Sequence, residues 1–178
     1  KYIVYEGAPY EVLHSHVFRK QQRKPVNAVK MKNLITGKVA EISFHVSDKV
    51  EEADLSPRDI KYLYTSKAAY WFCEANDPSK RFELSVNILG ASIQFLKPNS
   101  IVPALIFDDK IIGVKMPIKV DLKVIEAFPA VKGDTAKGGS KIVKVETGAT
   151  VTVPMFVKEG DVLRINTETG EYTDRVNS

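Results

Sequence analysis

Hydrophobic and polar residues alternate along most of this chain. The segment Ile42–Val46 places an apolar side chain at every second position, and the same period recurs in Ile118–Val124 and Thr150–Val153. Alternation of this kind is typical of a strand with one face against a core. No long stretch has the helical period, and only residues 78–90 predict a short helix. The pattern therefore predicts an all-β protein.

Short turn sequences separate the predicted strands at intervals that are typical of small barrels or sandwiches. The composition changes at two places, in the acidic run Asp48–Asp59 and at Met116-Pro117. We therefore predict three domains, which comprise residues 1–53, 54–117 and 118–178. Each is close to the smallest size at which a core supports itself, so we expect the domains to pack against one another.

Positive charge is concentrated in the first quarter of the chain. Residues 1–47 carry a net charge of +5, whereas residues 48–118 and 119–178 carry −1 and 0. No acidic residue lies between Glu11 and Glu41, a stretch that contains seven cations. A patch of this kind attracts a polyanion by Coulomb steering and counterion release. A solvated surface without a partner is the alternative reading.

A basic hairpin is predicted inside this positive stretch. Val12–Phe18 and Val26–Leu34 read as two strands, which residues 19–25 connect. Because Pro25 is the only apolar residue of the connection, the tip lacks apolar side chains that could pack against a core, and we expect it to be exposed to solvent. A polar, cationic projection suits an RNA-lined cavity, where phosphates supply the opposite charge. A flexible solubilising loop remains the alternative.

The single cysteine and the lack of long apolar runs bear on the compartment. Cys73 follows Tyr70-Trp71-Phe72, which favours a buried core position, and one cysteine excludes an internal disulfide. No run approaches the roughly 20 apolar residues that span a bilayer, and the first residues lack the features of a secretion signal. We therefore expect a cytoplasmic protein without a membrane partner.

Candidate catalytic and metal-binding residues have simpler explanations in this sequence. The three histidines lack a carboxylate or cysteine at a ligand spacing, the acid pair falls where a hairpin needs a turn, and the Gly-Gly segment lacks the phosphate-loop frame. We therefore predict no enzymatic activity, no metal and no cofactor. These residues are His14, His16 and His45, Asp108-Asp109, and residues 137–140.

The segment Lys141–Gly160 resembles the signature of the bacterial elongation factor P family. That signature is Lys-x-Ala, four residues, Gly, two residues, an aliphatic residue, x-Val-Pro, and a later aliphatic-x-x-Gly. Every fixed position matches except Val143, where the family has alanine. Further similar segments extend the resemblance over nearly the whole chain: 29–37, 53–54, 62–64, 131–136, 160–167 and 170–176.

The resemblance implies a fold and a function. The fold would be an SH3-like, KOW-type barrel followed by two OB-type barrels, and the third barrel separates this family from the two-domain initiation factor 5A proteins. The function would be that of a non-enzymatic elongation factor in protein biosynthesis. Such a factor binds the ribosome between the peptidyl and exit sites, and it positions the peptidyl-site tRNA when consecutive prolines stall peptide-bond formation. The implied partners are ribosomal RNA and that tRNA, and we expect a monomer.

The resemblance also implies RNA-binding residues in the third domain. Gly133, Asp134 and Thr135 match a loop that approaches the exit-site codon region. Tyr172 and Arg175 match positions of the family's C-terminal RNA contact near the small subunit. An aromatic ring and a guanidinium are both suited to contact RNA. Packing across the strands is the alternative role for Tyr172.

The hairpin tip departs from the family. Its usual sequence is Pro-Gly-Lys-Gly or Pro-Gly-Arg-Gly, and the central cation carries a covalent extension toward the peptidyl-transferase centre. That position falls on Gln22, which has no amine to modify. Three interpretations stay open: an unmodified working tip, modification of a neighbouring cation by a dedicated enzyme, or a specialised paralogue. The tip residues are Lys20, Gln21, Gln22, Arg23 and Lys24, and the flanking RNA-binding candidates are Arg19, Lys30 and Lys32.

A general single-stranded nucleic-acid-binding protein of the OB type is the alternative function. Such proteins combine an electropositive groove with exposed aromatic rings. The near-neutral charge of residues 48–178 disfavours this alternative. Co-sedimentation with ribosomes, compared with binding to free RNA, separates the two functions.

Overall fold

The computed structural model describes residues 1–19, 25–129 and 139–176. Within these ranges the chain forms three antiparallel sheets of five strands each, and its helical content is one short α-helix and one 3-10 helix. The prediction of an all-β protein is confirmed. No helix among the described residues is long and apolar enough to cross a membrane.

The first sheet is built from residues 2–52 and contains the predicted basic hairpin. Its strand order is β4-β3-β2-β1-β5. Val29 and Met31 alternate with exposed neighbours on β3, and they pack with Ile3 to form the core of this sheet. The strands are β1 (Tyr2–Tyr5), β2 (Ala8–Phe18), β3 (Val26–Asn33), β4 (Val39–His45) and β5 (Glu51–Glu52).

The middle sheet has the order β10-β9-β6-β7-β8. Two of its hairpins have two-residue turns in which both residues have positive φ, at Lys67-Ala68 and at Asp108-Asp109. The acid pair is therefore a hairpin turn, as predicted. The strands are β6 (Ser56–Ser66), β7 (Ala69–Glu74), β8 (Asp77–Leu84), β9 (Ile101–Phe107) and β10 (Lys110–Val114).

The third sheet has the order β13-β12-β11-β14-β15. Its third and fifth strands, β13 and β15, also approach each other, so the strands close into a small barrel of the OB type. The middle sheet repeats the same order within its own five strands. The strands are β11 (Lys119–Ala127), β12 (Ser140–Val145), β13 (Thr150–Pro154), β14 (Val162–Asn166) and β15 (Tyr172–Val176).

The chain divides into two compact units. One comprises residues 1–58 and 104–114, and the other comprises residues 59–103 and 115–178. Each sheet draws its strands from one continuous part of the chain. The three domain boundaries predicted from the sequence stay a prediction.

Phe95 joins two parts of the second unit. It ends the 3-10 helix (Ala91–Phe95), is 3% exposed, and belongs to the hydrophobic core of the third barrel together with Leu122 and Leu163. A Cβ placed on Gly170, in the β14–β15 turn, would lie 3.5 Å from the Phe95 ring. The core of the third barrel therefore includes an aromatic side chain from outside its own five strands.

The predicted helix over residues 78–90 is mostly wrong. Residues up to Leu84 form strand β8, and only Val86–Leu89 is α-helical. Phe82 and Leu84 alternate with exposed residues, and they lie opposite Phe72 and Tyr70 of β7. Pairing with a buried neighbouring strand outweighs the weak local preference for a helix. Cys73, also on β7, is fully buried as predicted.

One ion pair in the third barrel should make the stability of the protein depend on pH. Arg164 donates two hydrogen bonds to Asp121, Nε to Oδ1 at 2.8 Å and Nη2 to Oδ2 at 3.0 Å. These hydrogen bonds hold the pKa of the Asp121 carboxyl below its ordinary value. A lowered folded-state pKa stabilises the protein at pH values above the unfolded-state pKa of about 3.9, and this contribution is lost as the pH falls through the folded-state pKa.

We therefore expect Asp121→Asn to lower the free energy of unfolding at pH 7 and to have a vanishing effect in strong acid. The effect should be small, because both side chains are about 40% exposed. Urea unfolding between pH 7 and pH 2 measures it. Asp109→Asn, at an exposed turn position, is the matched control, because it makes the same carboxylate-to-amide change without touching the hydrogen bonds between Asp121 and Arg164.

Candidate nucleic-acid interface

The predicted hairpin is present in the first sheet. β2 pairs with β3 from Tyr10 opposite Asn33 to Phe18 opposite Val26, so the predicted strand segments are confirmed. Arg19 follows the last paired residue of β2 and is exposed. The tip residues Lys20 to Lys24 lie outside the described residues.

Lys30 and Lys32 lie on the outer face of β3. Both are exposed, and they alternate with the buried Val29 and Met31 because successive residues of a strand point to opposite faces. The same alternation that directs Val29 and Met31 toward the core therefore directs Lys30 and Lys32 toward solvent.

Acidic residues accompany these two lysines in the sheet. Lys30 lies opposite Glu41 of β4, and Lys32 lies opposite Glu11 of β2. The sequence stretch between Glu11 and Glu41 contains no acid, but strand pairing brings its two flanking acids beside its lysines. The positive character of the sheet is thus weaker around Lys30 and Lys32 than the sequence indicates.

The three histidines share the outer face of the first sheet. His14 lies opposite Lys30, His16 lies opposite Ala28, and His45 lies opposite Val26. The ring centroids of His16 and Phe18 are 6.5 Å apart and nearly parallel. Within the described ranges, no three histidine, cysteine or acidic side chains are grouped to hold a metal ion.

Tyr172 begins strand β15 and is half-buried. It lies opposite Ile165 and packs against the core of the third barrel. The side chain therefore has the packing role that the sequence left open, and its partial exposure leaves part of the ring accessible.

Arg175 is held in place by two neighbours at the end of the third barrel. Its guanidinium carbon lies 5.3 Å from the centroid of the Phe156 ring, and its Nη1 lies 3.6 Å from Asp161 Oδ2. The same Asp161 oxygen accepts a hydrogen bond from the Lys158 backbone N–H at 2.8 Å, which fixes the turn that carries it. Stacking and pairing together orient the guanidinium of a side chain that is 42% exposed.

Phe156 and Asp161 were missed as functional candidates in the sequence. Phe156 follows the last residues of β13 and is 54% exposed, although it is a large aromatic side chain. The available signal was an aromatic residue just after the Val153-Pro154 strand end, where a turn rather than a core position is expected. Its contact with Arg175 depends on strand pairing, which the sequence does not display. Gly133, Asp134 and Thr135 lie outside the described residues.

Comparisons with known proteins cover both ends of the chain. Residues 1–50 match the family model described as "Elongation factor P (EF-P) KOW-like domain", and residues 120–175 match "Elongation factor P, C-terminal". The first description agrees with the KOW-type barrel predicted for the N-terminal domain. The predicted class, a KOW-type barrel followed by two OB-type barrels, is therefore confirmed.

Full-length relatives extend this similarity. Elongation factor P of Carboxydothermus hydrogenoformans is 40% identical over 171 residues, which cover 96% of this chain and 92% of that protein. Elongation factor P of Thermodesulfovibrio yellowstonii is 37% identical over 174 residues, with coverage of 98% and 92%. The solved structure of eukaryotic translation initiation factor 5A from Methanococcus jannaschii is 19% identical, with a TM-score of 0.49 over 64% of this chain and 87% of that one.

Proposed function

Because this chain belongs to the elongation factor P family, we propose that it binds the ribosome between the peptidyl and exit sites and promotes peptide-bond formation at proline-rich stalls. Family membership makes it a translation factor with a partner in the translation machinery. The finer proposal concerns the site of binding, the peptidyl-tRNA as the molecule positioned, and a non-enzymatic role in the cytoplasm as a monomer. Its main support is the near-complete alignment with curated factors, from the hairpin to the closing strands.

A positioning role fits the chemistry of proline. The proline ring restricts the backbone of the nascent chain, so a reactive geometry is reached rarely. A bound protein that orients the peptidyl-tRNA raises the rate through proximity and orientation, while the ribosomal RNA carries out the bond formation. Exposed cations such as Arg19 and Arg175 are suited to hold RNA phosphates in such a complex.

A reporter with three consecutive prolines tests the proposal. Ribosomes from a strain without its own factor should stall on this reporter, and the purified full chain should relieve the stall. A reporter with three alanines is the control, and its translation should not change. The proposal fails if the protein sediments with ribosomes but leaves the proline stall in place, or if it binds free single-stranded RNA as tightly as ribosomes.

The state of the hairpin tip is a separate question. Intact mass and peptide mapping of residues 19–25 in protein from its native host answer it directly. An unmodified peptide supports a tip in which Gln22 and its cationic neighbours act as encoded. Added mass on Lys20, Arg23 or Lys24 supports a dedicated modifying enzyme.

Under the proposed function, the contact between Arg175 and Phe156 should contribute to ribosome affinity. Arg175→Lys retains the charge but loses the planar group that stacks on Phe156, so ribosome affinity should fall by about tenfold, as for loss of one charge-assisted hydrogen bond. Phe156→Leu should reduce affinity less, because Asp161 still holds the guanidinium. Sedimentation binding measures both.

Arg164→Lys provides the matched control for Arg175→Lys. It changes an arginine of the same barrel that is paired with Asp121 instead of Phe156 and Asp161. Equal losses of ribosome affinity in the two arginine variants would contradict a specific role for Arg175.

A further inference from the structure

We propose that the middle barrel carries a second RNA contact, in which an unpaired base stacks on the aromatic pair Tyr64 and Trp71. The site is built from residues other than those of the hairpin and other than Arg175. The choice of RNA as the occupant rests on the proposed function in translation. The existence of a stacking site rests on the geometry of the pair.

The two rings form an exposed, nearly parallel pair. Their centroids are 6.3 Å apart, with 24° between the ring planes. Tyr64 is 45% exposed and Trp71 is half-buried. An aromatic surface of this kind offers its face to a base of any sequence, because every base has a π-face.

A β-bulge directs Tyr64 away from the core. Tyr62 lies opposite Phe72, but Tyr64 lies opposite Trp71, with a shift of register between them. Phe72 and Trp71 are successive residues and point to opposite faces, so Tyr62 and Tyr64 also point to opposite faces. Tyr62 is 6% exposed, and its hydroxyl forms a part-buried 2.6 Å hydrogen bond with the Thr65 hydroxyl. In a regular strand Tyr64 would face the core, and bulges that redirect a side chain are frequent at functional sites.

The position within the barrel is one that OB-type proteins use for ligands. Tyr64 and Trp71 lie on the first two strands of the middle sheet, close to the Lys67-Ala68 turn that joins them. OB barrels bind oligonucleotides with the face of their second and third strands and with the loop between the first and second. Trp71 and the turn are parts of these elements.

The charges around the pair favour an anionic partner. Lys61 and Arg81 both lie in register with Cys73, two residues along β7 from Trp71, and Lys67 is exposed in the turn. The acid directly opposite Trp71 is Glu83. No ion pair joins any of the three cations to another described residue. RNA supplies both the base and the phosphates.

Trp71 is the only tryptophan of the chain, so its fluorescence reports this site alone. The experiment adds a six-nucleotide oligoadenylate to the full chain at low salt. We expect saturable quenching of Trp71. Tyr64→Leu should raise the half-saturation concentration about tenfold, which is the loss of affinity typical of one stacking partner. Tyr64→Phe keeps the ring and should bind as the unchanged protein does. Lys67→Glu, at an exposed turn position, should also weaken binding.

Two controls separate stacking from charge and from folding. Inorganic polyphosphate supplies phosphates without bases and should not quench Trp71. Phe128→Leu, at a partly exposed ring of the third barrel, should leave the quenching unchanged. Circular dichroism and urea midpoints confirm that each variant is folded.

Three outcomes would overturn the inference: no saturable quenching, quenching that polyphosphate reproduces, or quenching that Tyr64→Leu leaves unchanged. Within the first of these outcomes, loss of ribosome binding by Tyr64→Leu would indicate a protein surface as the occupant. A protein that fails this test but relieves proline stalls leaves the proposed function intact. A protein that passes it but leaves the stalls in place removes the proposed function and retains the site.

Discussion

Replacing the four cations of the hairpin connection with glutamine should abolish the relief of proline stalls without changing the stability of the protein. Each cation that contacts a phosphate contributes a charge-assisted hydrogen bond of about 1.5–3 kcal/mol, so the combined loss of ribosome affinity should exceed about 100-fold. The dependence of log affinity on log salt should flatten by about three, since each lost phosphate contact removes roughly 0.7–0.9. The four residues are Arg19, Lys20, Arg23 and Lys24.

The control for this variant has the same change in net charge. Four exposed lysines elsewhere in the chain are replaced with glutamine, and relief of stalls should persist. The hairpin would not be the main RNA contact if the two variants lose affinity equally. The control lysines are Lys49, Lys110, Lys115 and Lys119.

Phe95→Ala should lower the free energy of unfolding by about 3–5 kcal/mol, the range for a buried aromatic residue. The ring is 3% exposed and packs with the core of the third barrel, so its removal leaves a cavity in that core. Phe95 itself lies outside the five strands of the barrel. Chemical shifts of core residues such as Leu122 and Leu163 should change in the variant. Denaturant unfolding followed by circular dichroism measures the loss of stability.

Gln94→Ala provides the matched control for Phe95→Ala. Gln94 precedes Phe95 in the same 3-10 helix and is exposed, so its replacement should change the stability by less than about 0.5 kcal/mol. Phe95→Leu should lie between the two, because part of the cavity stays filled. A Phe95→Ala protein as stable as Gln94→Ala would mean that the third barrel supports its core without this side chain.

The strands and turns of this protein follow from local features of the sequence. Alternation in Ile42–Val46 and Ile118–Val124 is a property of neighbouring residues, and so is the turn at Asp108-Asp109. These elements were predicted close to their observed positions. Residues 78–84 are an exception, because they form strand β8 where the sequence predicted a helix. This strand depends on its pairing with β7, as in the pair Phe82 and Phe72, and a contact between strands is not visible in the local sequence.

The functional contacts depend more strongly on strand pairing than the fold elements do. The sequence identified Arg175 through a family resemblance, but its support by Phe156 and Asp161 arises only when the turn after β13 meets β15. In the same way, Glu41 lies beside Lys30 only because β4 pairs with β3. The outward direction of Tyr64 depends on one bulged residue, whose effect a period-two pattern does not show.

The contiguity of the three sheets affects how this protein is itself made. Each sheet uses strands from one unbroken part of the chain, so a growing chain can finish one sheet before the next has been synthesised. Phe95 is the exception, because its side chain is made about 80 residues before the end of the barrel that encloses it. At about 5–20 residues per second, the synthesis of these residues takes roughly 4–16 seconds. During that interval the ring lacks the core that encloses it in the folded protein, and a slower ribosome lengthens the interval.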